Sequence, residues 1–241
     1  MTRELVYGRN AVREALRGRR TVLEVWAGQK AAESLDWLGE GPRARVRPER
    51  ELTQAAGSSD HQGVVAWCAP YPYADAWELA ALPAPLLVCL DQVTDPRNLG
   101  AVIRSAAGAG AAGVVLPAHG AARVTPVVCR SSAGAVEHLP VAVVPNLARF
   151  LAEVKGPALW AYAAAADGEL ELWEADLTGG VALVLGAEGK GVRPLVRRTC
   201  DATVAIPLAP GVESLNVSVA AAVLAFEAAR QRRRPSPSSR G

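Results

Sequence analysis

Six short apolar runs, separated by helical or polar segments, occupy the chain from residue 86 onward and restrict the fold more than any other feature. They lie at 86–90, 113–116, 141–144, 159–163, 181–185 and 203–206. Apolar runs without alternation are typical of parallel strands that are buried on both faces. Strands that alternate with helices indicate a doubly wound α/β sheet. A long helix at about 215–230 completes the pattern.

The first 70 residues carry a smaller α/β pattern of their own. It predicts helices at 10–16, 30–38 and 49–56 and strands at 21–27, 44–47 and 63–68. Asn10 is a good N-cap for the first helix. A proline-rich stretch follows, with a short helical piece around Trp77, and is typical of a linker. The predicted segments are a first domain at 1–70, a linker at 71–85, a second domain at 86–230 and a disordered basic tail at 231–241.

Composition excludes several classes of protein. The longest apolar stretches, near 86–90 and 217–226, are shorter than the roughly 18 residues that a membrane span needs. The N-terminus lacks the apolar core of a secretory signal, so we expect a soluble cytoplasmic protein without a membrane partner. The four cysteines include no CxxC pair and the three histidines have no metal-ligand spacing. We therefore expect buried free thiols and no metal site.

The net charge of +2 hides an uneven distribution. Residues 1–20 hold six arginines against two acids, and 230–241 hold five arginines and no acid. Residues 76–229 hold 10 basic against 14 acidic side chains. Because arginine is a bidentate phosphate ligand, the basic ends favour an anionic polymer as partner. A solvated surface in an arginine-rich proteome explains the same distribution equally well.

Two glycine-rich segments match nucleotide-binding motifs without their context. Gly108, Gly110 and Gly113 fit GxGxxG, but a predicted helix precedes them and a strand follows, the reverse of a dinucleotide site. We expect them to end a helix and turn into a strand. The segment GAEGKG at 186–191 lacks the spacer and the Ser/Thr of a phosphate loop, so we do not expect ATP hydrolysis.

Three polar segments each follow a predicted strand of the second series. They are DQVTDPRNLG at 91–100, which runs into a helix with Arg104, LGAEGKG at 185–191, and the stretch from IPL at 206–208 to SLNVS at 214–218. We expect all three at one edge of the sheet, where ligands bind in such folds. Singly, each has a structural explanation: Asn98 and Ser214 as helix caps, Glu188 in a loop ion pair, and Arg104 as surface charge.

Together the three segments resemble the motifs of the SpoU (TrmH-like) branch of the α/β-knot methyltransferases. The resemblance rests on NLGAVIR at 98–104, LGAEGKG at 185–191, and IPL with SLNVS at 206–218, and covers about 86–229. In the first domain, YGRNAV at 7–12 and HQGV at 61–64 resemble the L30e-like substrate-binding domain of the subgroup that methylates a guanosine of 23S rRNA. The family transfers a methyl group from S-adenosylmethionine to a ribose 2′-hydroxyl of RNA.

The resemblance implies a parallel α/β sheet with a deep C-terminal trefoil knot, a topology that the usual connection rules do not predict. It also implies a homodimer whose active sites combine residues of both subunits. By position, the catalytic residues would be Asn98, Arg104, Glu188, Ser214 and Asn216. The cofactor contacts would be Leu185, Gly186, Glu188, Gly189, Ile206, Leu208, Ser214, Leu215 and Asn216.

Methyl transfer to a hydroxyl needs alignment of oxygen, methyl and sulfur, and a way to handle the hydroxyl proton. Asn98 and Asn216 have the donors and acceptors that suit such positioning. The family's arginine, here Arg104, has been proposed as the base, but a guanidinium keeps its proton at accessible pH. We expect Arg104 to bind a phosphate beside the target ribose and to stabilise alkoxide charge. Glu188 would hold Arg104 or an arginine of the partner subunit.

The basic first domain and the tail are the predicted RNA contacts. The candidate side chains are Arg9, Arg13, Arg17, Arg19 and Arg20, together with the arginines of the tail. The first domain favours 23S rRNA as substrate. Three alternatives remain open: 2′-O-methylation of tRNA, a resistance methyltransferase that acts at another rRNA site, and a non-catalytic RNA-binding dimer.

Overall fold

The smaller of two β-sheets lies in the N-terminal part of this computed structural model, which describes residues 2–233. Its strands are β1 (Glu4–Tyr7), β2 (Val22–Ala27), β3 (Arg45–Val46) and β4 (Val64–Cys68). Its helices are α1 (Arg9–Arg17), α2 (Gln29–Ser34) and α3 (Glu49–Ala56). The strand order is β1-β4-β2-β3, and β4 is antiparallel to both of its neighbours.

Most of the small sheet follows the sequence pattern, with three differences. Strand β1 was not predicted. The predicted helix at 30–38 is broken, because Leu35 is extended and a 3₁₀ turn, Asp36–Glu40, follows it. Helix α1 begins at Arg9, so Gly8 rather than Asn10 occupies the N-cap position.

The larger sheet has seven strands in the order β7-β6-β5-β10-β8-β11-β9, and every pairing is parallel. Its strands are β5 (Leu86–Asp91), β6 (Gly113–Pro117), β7 (Val141–Val144), β8 (Leu159–Ala164), β9 (Leu170–Glu171), β10 (Gly180–Gly186) and β11 (Ala202–Ala205). The helices are α4 (Ala76–Ala80), α5 (Pro96–Gly108), α6 (Pro126–Ser131), α7 (Leu147–Val154), α8 (Pro194–Thr199) and α9 (Val217–Arg233).

The parallel α/β sheet confirms the predicted fold class. All six apolar runs are strands, while the two-residue β9 was not predicted. Gly108 ends α5, Gly110 turns the chain with a φ of 79°, and Gly113 opens β6, so the GxGxxG match is the expected helix-to-strand turn. The strand order is consistent with a trefoil knot, which stays a prediction. Within residues 2–233, every helix is too short or too polar to cross a bilayer.

The proline-rich segment packs on the larger sheet for most of its length. Ala74 pairs with Ala142 of β7. The ring of Trp77 meets Phe150 of α7 edge to face, with centroids 5.4 Å apart. Residues 81–84 are exposed. The segment predicted as a linker is therefore folded along its first half and open to solvent only near its end.

A buried polar contact joins the two units, and we call it the seam. It consists of Glu4, Arg20, Tyr71, Cys129 and Glu137. The Arg20 guanidinium is 1% exposed and forms a bidentate ion pair with Glu137, whose side chain is fully buried. Burial by itself would lower the pKa of Arg20, but the hydrogen bonds that it donates to Glu137 raise the pKa above its usual value. A buried ion pair thus holds the two units together.

The seam corrects one sequence prediction. Arg20 was expected to contact RNA, yet its charge is enclosed by Glu137 and by Glu4, whose Oε2 lies 3.2 Å from Nη1. Its Nη2 also donates to the Cys129 thiol at 3.2 Å. A guanidinium with these partners has no free surface for a phosphate. Charge counted along the sequence could not show that a carboxylate 117 residues away would neutralise it.

Candidate active site

Three polar loops meet at the carboxyl edge of the larger sheet, as the sequence predicted. They follow β5, β10 and β11, which run in the same direction in the sheet. Strands β5 and β10 end level, because Asp91 is the register partner of Gly186. One further strand, β8, separates β10 from β11. Residues far apart in sequence are therefore brought to one edge of the sheet.

Helix α5 presents Asn98 on its first turn. Asp95 is the N-cap, since its carboxylate accepts a hydrogen bond from the Arg97 amide at 2.8 Å, and Pro96 starts the helix. The capping explanation for Asn98 is therefore excluded. Its side-chain amide is available for contacts beyond its own helix.

Asn98, Glu188 and Asn216 form one hydrogen-bonded group, which we call the amide–carboxylate cluster. Asn98 Nδ2 donates to Glu188 Oε1 at 3.2 Å, and Asn216 Nδ2 donates to the same oxygen at 2.5 Å. Asn216 Nδ2 also lies 3.1 Å from Asn98 Oδ1. The cluster joins all three loops. Glu188 accepts from amides and not from Arg104, so the ion pair expected within this chain is absent.

Asn216 also starts the last helix. Its Oδ1 accepts hydrogen bonds from the backbone N–H of Ser218 at 2.8 Å and from the Ser218 hydroxyl at 2.6 Å. Both bonds hold the carboxamide in one orientation, with Nδ2 directed at Glu188. Ser214 is exposed and lies before the helix, so it is not the cap.

Arg104 carries a charge that no described residue neutralises. It lies on α5, is exposed, and makes no hydrogen bond or ion pair within residues 2–233. The Ser214 side chain likewise has no hydrogen bond to another described residue. The structure thus gathers three of the five predicted catalytic residues into one cluster and leaves two free to meet a ligand or a second subunit.

The loop after β10 is a tight turn that requires glycine. A Cβ on Gly186 would lie 1.9 Å from the carbonyl carbon of Gly191 and 2.2 Å from the Val192 nitrogen, far inside any real contact. The Gly191 N–H closes the turn by donating to Ala187 O at 2.9 Å. This close approach of backbone to backbone directs Glu188 toward the two asparagines.

An ion pair that was not predicted from the sequence stabilises the same loop. Asp91, at the end of β5, is fully buried and accepts from the Arg193 backbone N–H and from Nε, both at 2.9 Å. Arg193 Nη2 lies 2.7 Å from Asp91 Oδ1. The pair ties the far end of the β10 loop to β5. A carboxylate directly after an apolar run was the only signal in the sequence.

The third loop, 206–216, offers backbone donors to a ligand. Apart from Val212, which donates to Ala209 O at 3.2 Å, none of its N–H groups donates a hydrogen bond to a described residue. Within this loop, Ile206, Leu208 and Leu215 are half-buried. The predicted cofactor contacts are Leu185, Gly186, Glu188 and Gly189 on the second loop and Ile206, Leu208, Ser214, Leu215 and Asn216 on the third.

A cleft of about 670 Å³ lies between the two units. The smaller unit contributes Gly8, Asn10 and Gln62, and the larger unit contributes Arg97 and Arg130. Arg97 lies on the first turn of α5, the helix that also carries Asn98. Within residues 2–233, no group of three acidic, histidine or cysteine side chains is arranged to hold a metal.

Two family models match the sequence and together span both units. Residues 85–226 match the SpoU rRNA Methylase family, which is more than half of the chain. This chain belongs to the SpoU rRNA methylase family. Residues 5–74 match the RNA 2′-O ribose methyltransferase substrate binding family. The family predicted from the three loop motifs is confirmed.

Relatives and a solved structure match this SpoU chain along nearly all of its length. The 23S rRNA (guanosine-2′-O-)-methyltransferase RlmB of Pseudomonas syringae pv. tomato is 40% identical over 95% of this chain and 96% of that protein. An uncharacterized tRNA/rRNA methyltransferase of Synechocystis is 38% identical over 95% of this chain, which spans 63% of the relative. The structure of the SpoU methyltransferase AviRb from Streptomyces viridochromogenes, in complex with the cofactor AdoMet, superposes with a TM-score of 0.81 at 29% identity. That superposition covers 95% of this chain and 89% of AviRb.

The other arginines predicted to bind RNA in this SpoU chain differ in whether their side chains have hydrogen-bond or ion-pair partners. Arg9 donates from Nε to Gln62 O at 3.1 Å, Arg13 pairs with Glu14, and Arg17 pairs with Glu40. Arg19 is exposed and has no hydrogen bond or ion pair to a described residue. The tail arginines beyond residue 233 lie outside the described residues.

Proposed function

We propose that this protein transfers a methyl group from S-adenosylmethionine to the ribose 2′-hydroxyl of a guanosine in 23S rRNA. The observation that carries the proposal is the amide–carboxylate cluster at the loop edge, with the unpaired Arg104 on the helix that holds Asn98. Membership of the SpoU family and the near-complete match to a 23S rRNA methyltransferase support the RNA substrate. The substrate-binding family match supports the smaller unit as an RNA-binding domain.

The second and third loops have the properties that a cofactor site needs. The backbone N–H groups of 206–216 are largely free to donate, and the glycine turn at 186–191 brings backbone close to backbone. These residues would hold S-adenosylmethionine. The sulfonium supplies an electrophilic methyl group and a neutral leaving group. The protein's own task is to align the ribose oxygen with that methyl group and to exclude competing water.

Asn98 and Asn216 suit the positioning of the ribose. Their carboxamides are held by Glu188 and Ser218, so little rotational freedom remains to be lost when the substrate binds. Asn98 keeps an unused donor and an unused acceptor for the ribose, whereas every donor and acceptor of the Asn216 carboxamide is engaged, so Asn216 acts by holding its neighbours in place. Glu188 then acts as a positioning residue that accepts from both amides.

Arg104 suits the binding of an anion that approaches from solvent. A guanidinium stays protonated throughout the accessible pH range, so its role is electrostatic. Beside the target ribose it binds a backbone phosphate and stabilises negative charge that grows on the 2′-oxygen as the proton leaves. Its lack of partners in one chain agrees with a homodimer in which the partner subunit completes the site.

A substrate survey tests the reaction. Purified protein with labelled S-adenosylmethionine is expected to label 23S rRNA at one guanosine 2′-oxygen and to leave 16S rRNA and tRNA unlabelled, as mapped by alkaline-resistance sequencing. Label confined to tRNA would overturn the rRNA assignment. Calorimetric titration showing no binding of S-adenosylmethionine would point instead to a non-catalytic RNA-binding dimer.

Two substitutions of Arg104 test its role. Arg104→Ala should lower the rate of methyl transfer by about 10²- to 10³-fold, because it removes the charge aimed at the reacting oxygen. Arg104→Lys keeps the charge and should retain part of the activity. Arg149→Ala is the matched control, since Arg149 is an exposed helical arginine of the same unit with only Glu153 as partner. Wild-type rates in the Arg104→Ala variant would exclude the role.

A further inference from the structure

One face of the small sheet is only partly covered by its helix. Helix α3 packs there through Leu52, which contacts Tyr7 and Val65. The neighbouring positions on the same face, Trp26 of β2 and Trp67 of β4, pack beside this cluster and remain partly exposed. Their rings meet edge to face with centroids 4.3 Å apart. Two indoles are therefore presented side by side where a second covering helix would be expected to bury them.

Arginine side chains lie directly on both indoles. The guanidinium carbon of Arg47 is 5.1 Å from the Trp26 ring centroid, and that of Arg3 is 5.5 Å from the Trp67 centroid. Trp26 Nε1 donates to Glu24 at 2.8 Å. Glu24 also pairs with Arg3 at 3.4 Å and with Arg45 at 2.9 Å. One carboxylate thus organises an indole and two arginines.

Positive charge on this face exceeds negative charge. Arg47 Nε makes no hydrogen bond, and the Glu51 carboxylate is 3.9 Å from it. Arg50 is exposed, has no ion pair within the described chain, and lines a groove of about 750 Å³ with Trp26, Glu51, Gln54 and Ala55. The face therefore has four arginines, at 3, 45, 47 and 50, against two glutamates.

We propose that this tryptophan–arginine face, made by Trp26 and Trp67 with those four arginines, binds a single-stranded segment of the RNA substrate by base stacking. The proposal rests on the proposed RNA substrate and extends it to a surface on the opposite side of the small sheet from the seam. Bases splayed from single strands stack on aromatic rings and on guanidinium planes. The Arg47–Trp26 and Arg3–Trp67 pairs present both kinds of plane, and the remaining cations meet the phosphates.

The charge of the face distinguishes RNA from a protein partner. Protein docking sites bury an apolar core with few charges at its centre, whereas here a guanidinium lies over each indole. Single-stranded nucleic acid is bound by a basic groove with aromatic platforms, and this binding tolerates many sequences because every base has a π-face. This face would hold RNA that flanks the modified nucleotide and so would contribute affinity rather than chemistry.

Binding of a fluorescein-labelled 12-nucleotide oligo(A), followed by anisotropy with the full-length protein and no cofactor, tests the proposal. The Trp26→Ala/Trp67→Ala double variant should bind at least about 10-fold more weakly than wild type. Trp173→Ala, which removes a tryptophan that is even more exposed but lies on the larger unit, should bind as wild type does. Equal affinity of the double variant and wild type, or no binding by wild type, would overturn the proposal.

If circular dichroism shows that the tryptophan double variant folds poorly, a second variant tests the proposal. Arg45→Gln/Arg50→Gln changes only exposed side chains and should reduce the slope of log affinity against log salt by about 1.4. An unchanged slope would overturn the proposal. With 23S rRNA as substrate, both variants should raise KM and leave kcat unchanged. If wild type transfers no methyl group, the proposed function fails, while the oligo(A) measurement still decides this proposal.

Discussion

The seam and the carboxyl edge of the larger sheet, where the three polar loops meet, both contain arginine and glutamate. The two regions differ in whether the arginine is buried and paired. In the seam, Arg20 is buried and its charge is fully matched by Glu137. At the loop edge, Arg104 is exposed and unmatched, while Glu188 is satisfied by neutral amides. Removing one partner of a buried pair costs far more than removing an exposed charge. Burial and pairing therefore distinguish an arginine that stabilises the fold from one that is available for catalysis. The position of an arginine in the sequence does not make this distinction.

The largest expected effect is in the seam. Glu137→Ala leaves the Arg20 guanidinium buried without its main partner and should lower the free energy of unfolding by about 3–5 kcal/mol. Urea denaturation followed by circular dichroism measures it. Glu153→Ala removes only exposed contacts, to Arg149 and Trp77, and should change the free energy of unfolding far less. A loss below 1 kcal/mol for Glu137→Ala would show that the seam does not depend on this pair.

The middle effect is at the loop edge and concerns rate rather than stability. Asn98→Ala removes the carboxamide that we propose positions the ribose, together with its contacts to Glu188 and Asn216, so methyl transfer should slow by about 10- to 100-fold. The free energy of unfolding should change by less than about 1 kcal/mol. Gln29→Ala, which removes another exposed amide–carboxylate contact, is the control. Loss of stability without loss of rate would reverse the assignment.

The third effect concerns the chemical reactivity of two buried thiols, Cys129 of the seam and the nearby Cys68. Burial raises the pKa of the Cys129 thiol to about 12, and that of Cys68 likewise to about 12. Because the thiolate is the reactive form, a raised pKa leaves less of it at pH 8 than a free cysteine has, and alkylation should be at least about 100-fold slower. Mass spectrometry after iodoacetamide treatment measures this. Rapid alkylation of both thiols in the wild-type protein would show that the seam opens.

The sequence predicted elements whose patterns are local. The parallel strands were recognisable because each is an unbroken apolar run, and the three loops were recognisable because their motifs follow those runs directly. Strand β1 escaped because it has only four residues and combines Glu4 and Tyr7 with two apolar residues. The break at Leu35 was not predicted because the helical pattern of the sequence continues across it. Length and continuity of pattern thus decided which elements could be predicted.

Contacts between distant residues were harder to predict. The members of the amide–carboxylate cluster were identified as candidates, but nothing in the sequence showed that Glu188 would accept from amides. The pairs Asp91–Arg193 and Arg20–Glu137 join residues 102 and 117 positions apart. Such pairs depend on the tertiary arrangement of the strands, and a charge in the sequence looks the same whether it is later buried or exposed. In each case the sequence did not show which charged side chains are buried.

The exposed residues 81–84 connect two units whose main contact is made elsewhere. A single peptide bond broken there leaves the Arg20–Glu137 pair intact, and it also leaves Trp77 packed on Phe150 across the break. The two pieces should remain associated without a covalent connection. The molecule is therefore suited to production as two complementary polypeptides, so that an isotope or a fluorophore can be introduced into one half alone before the halves are recombined.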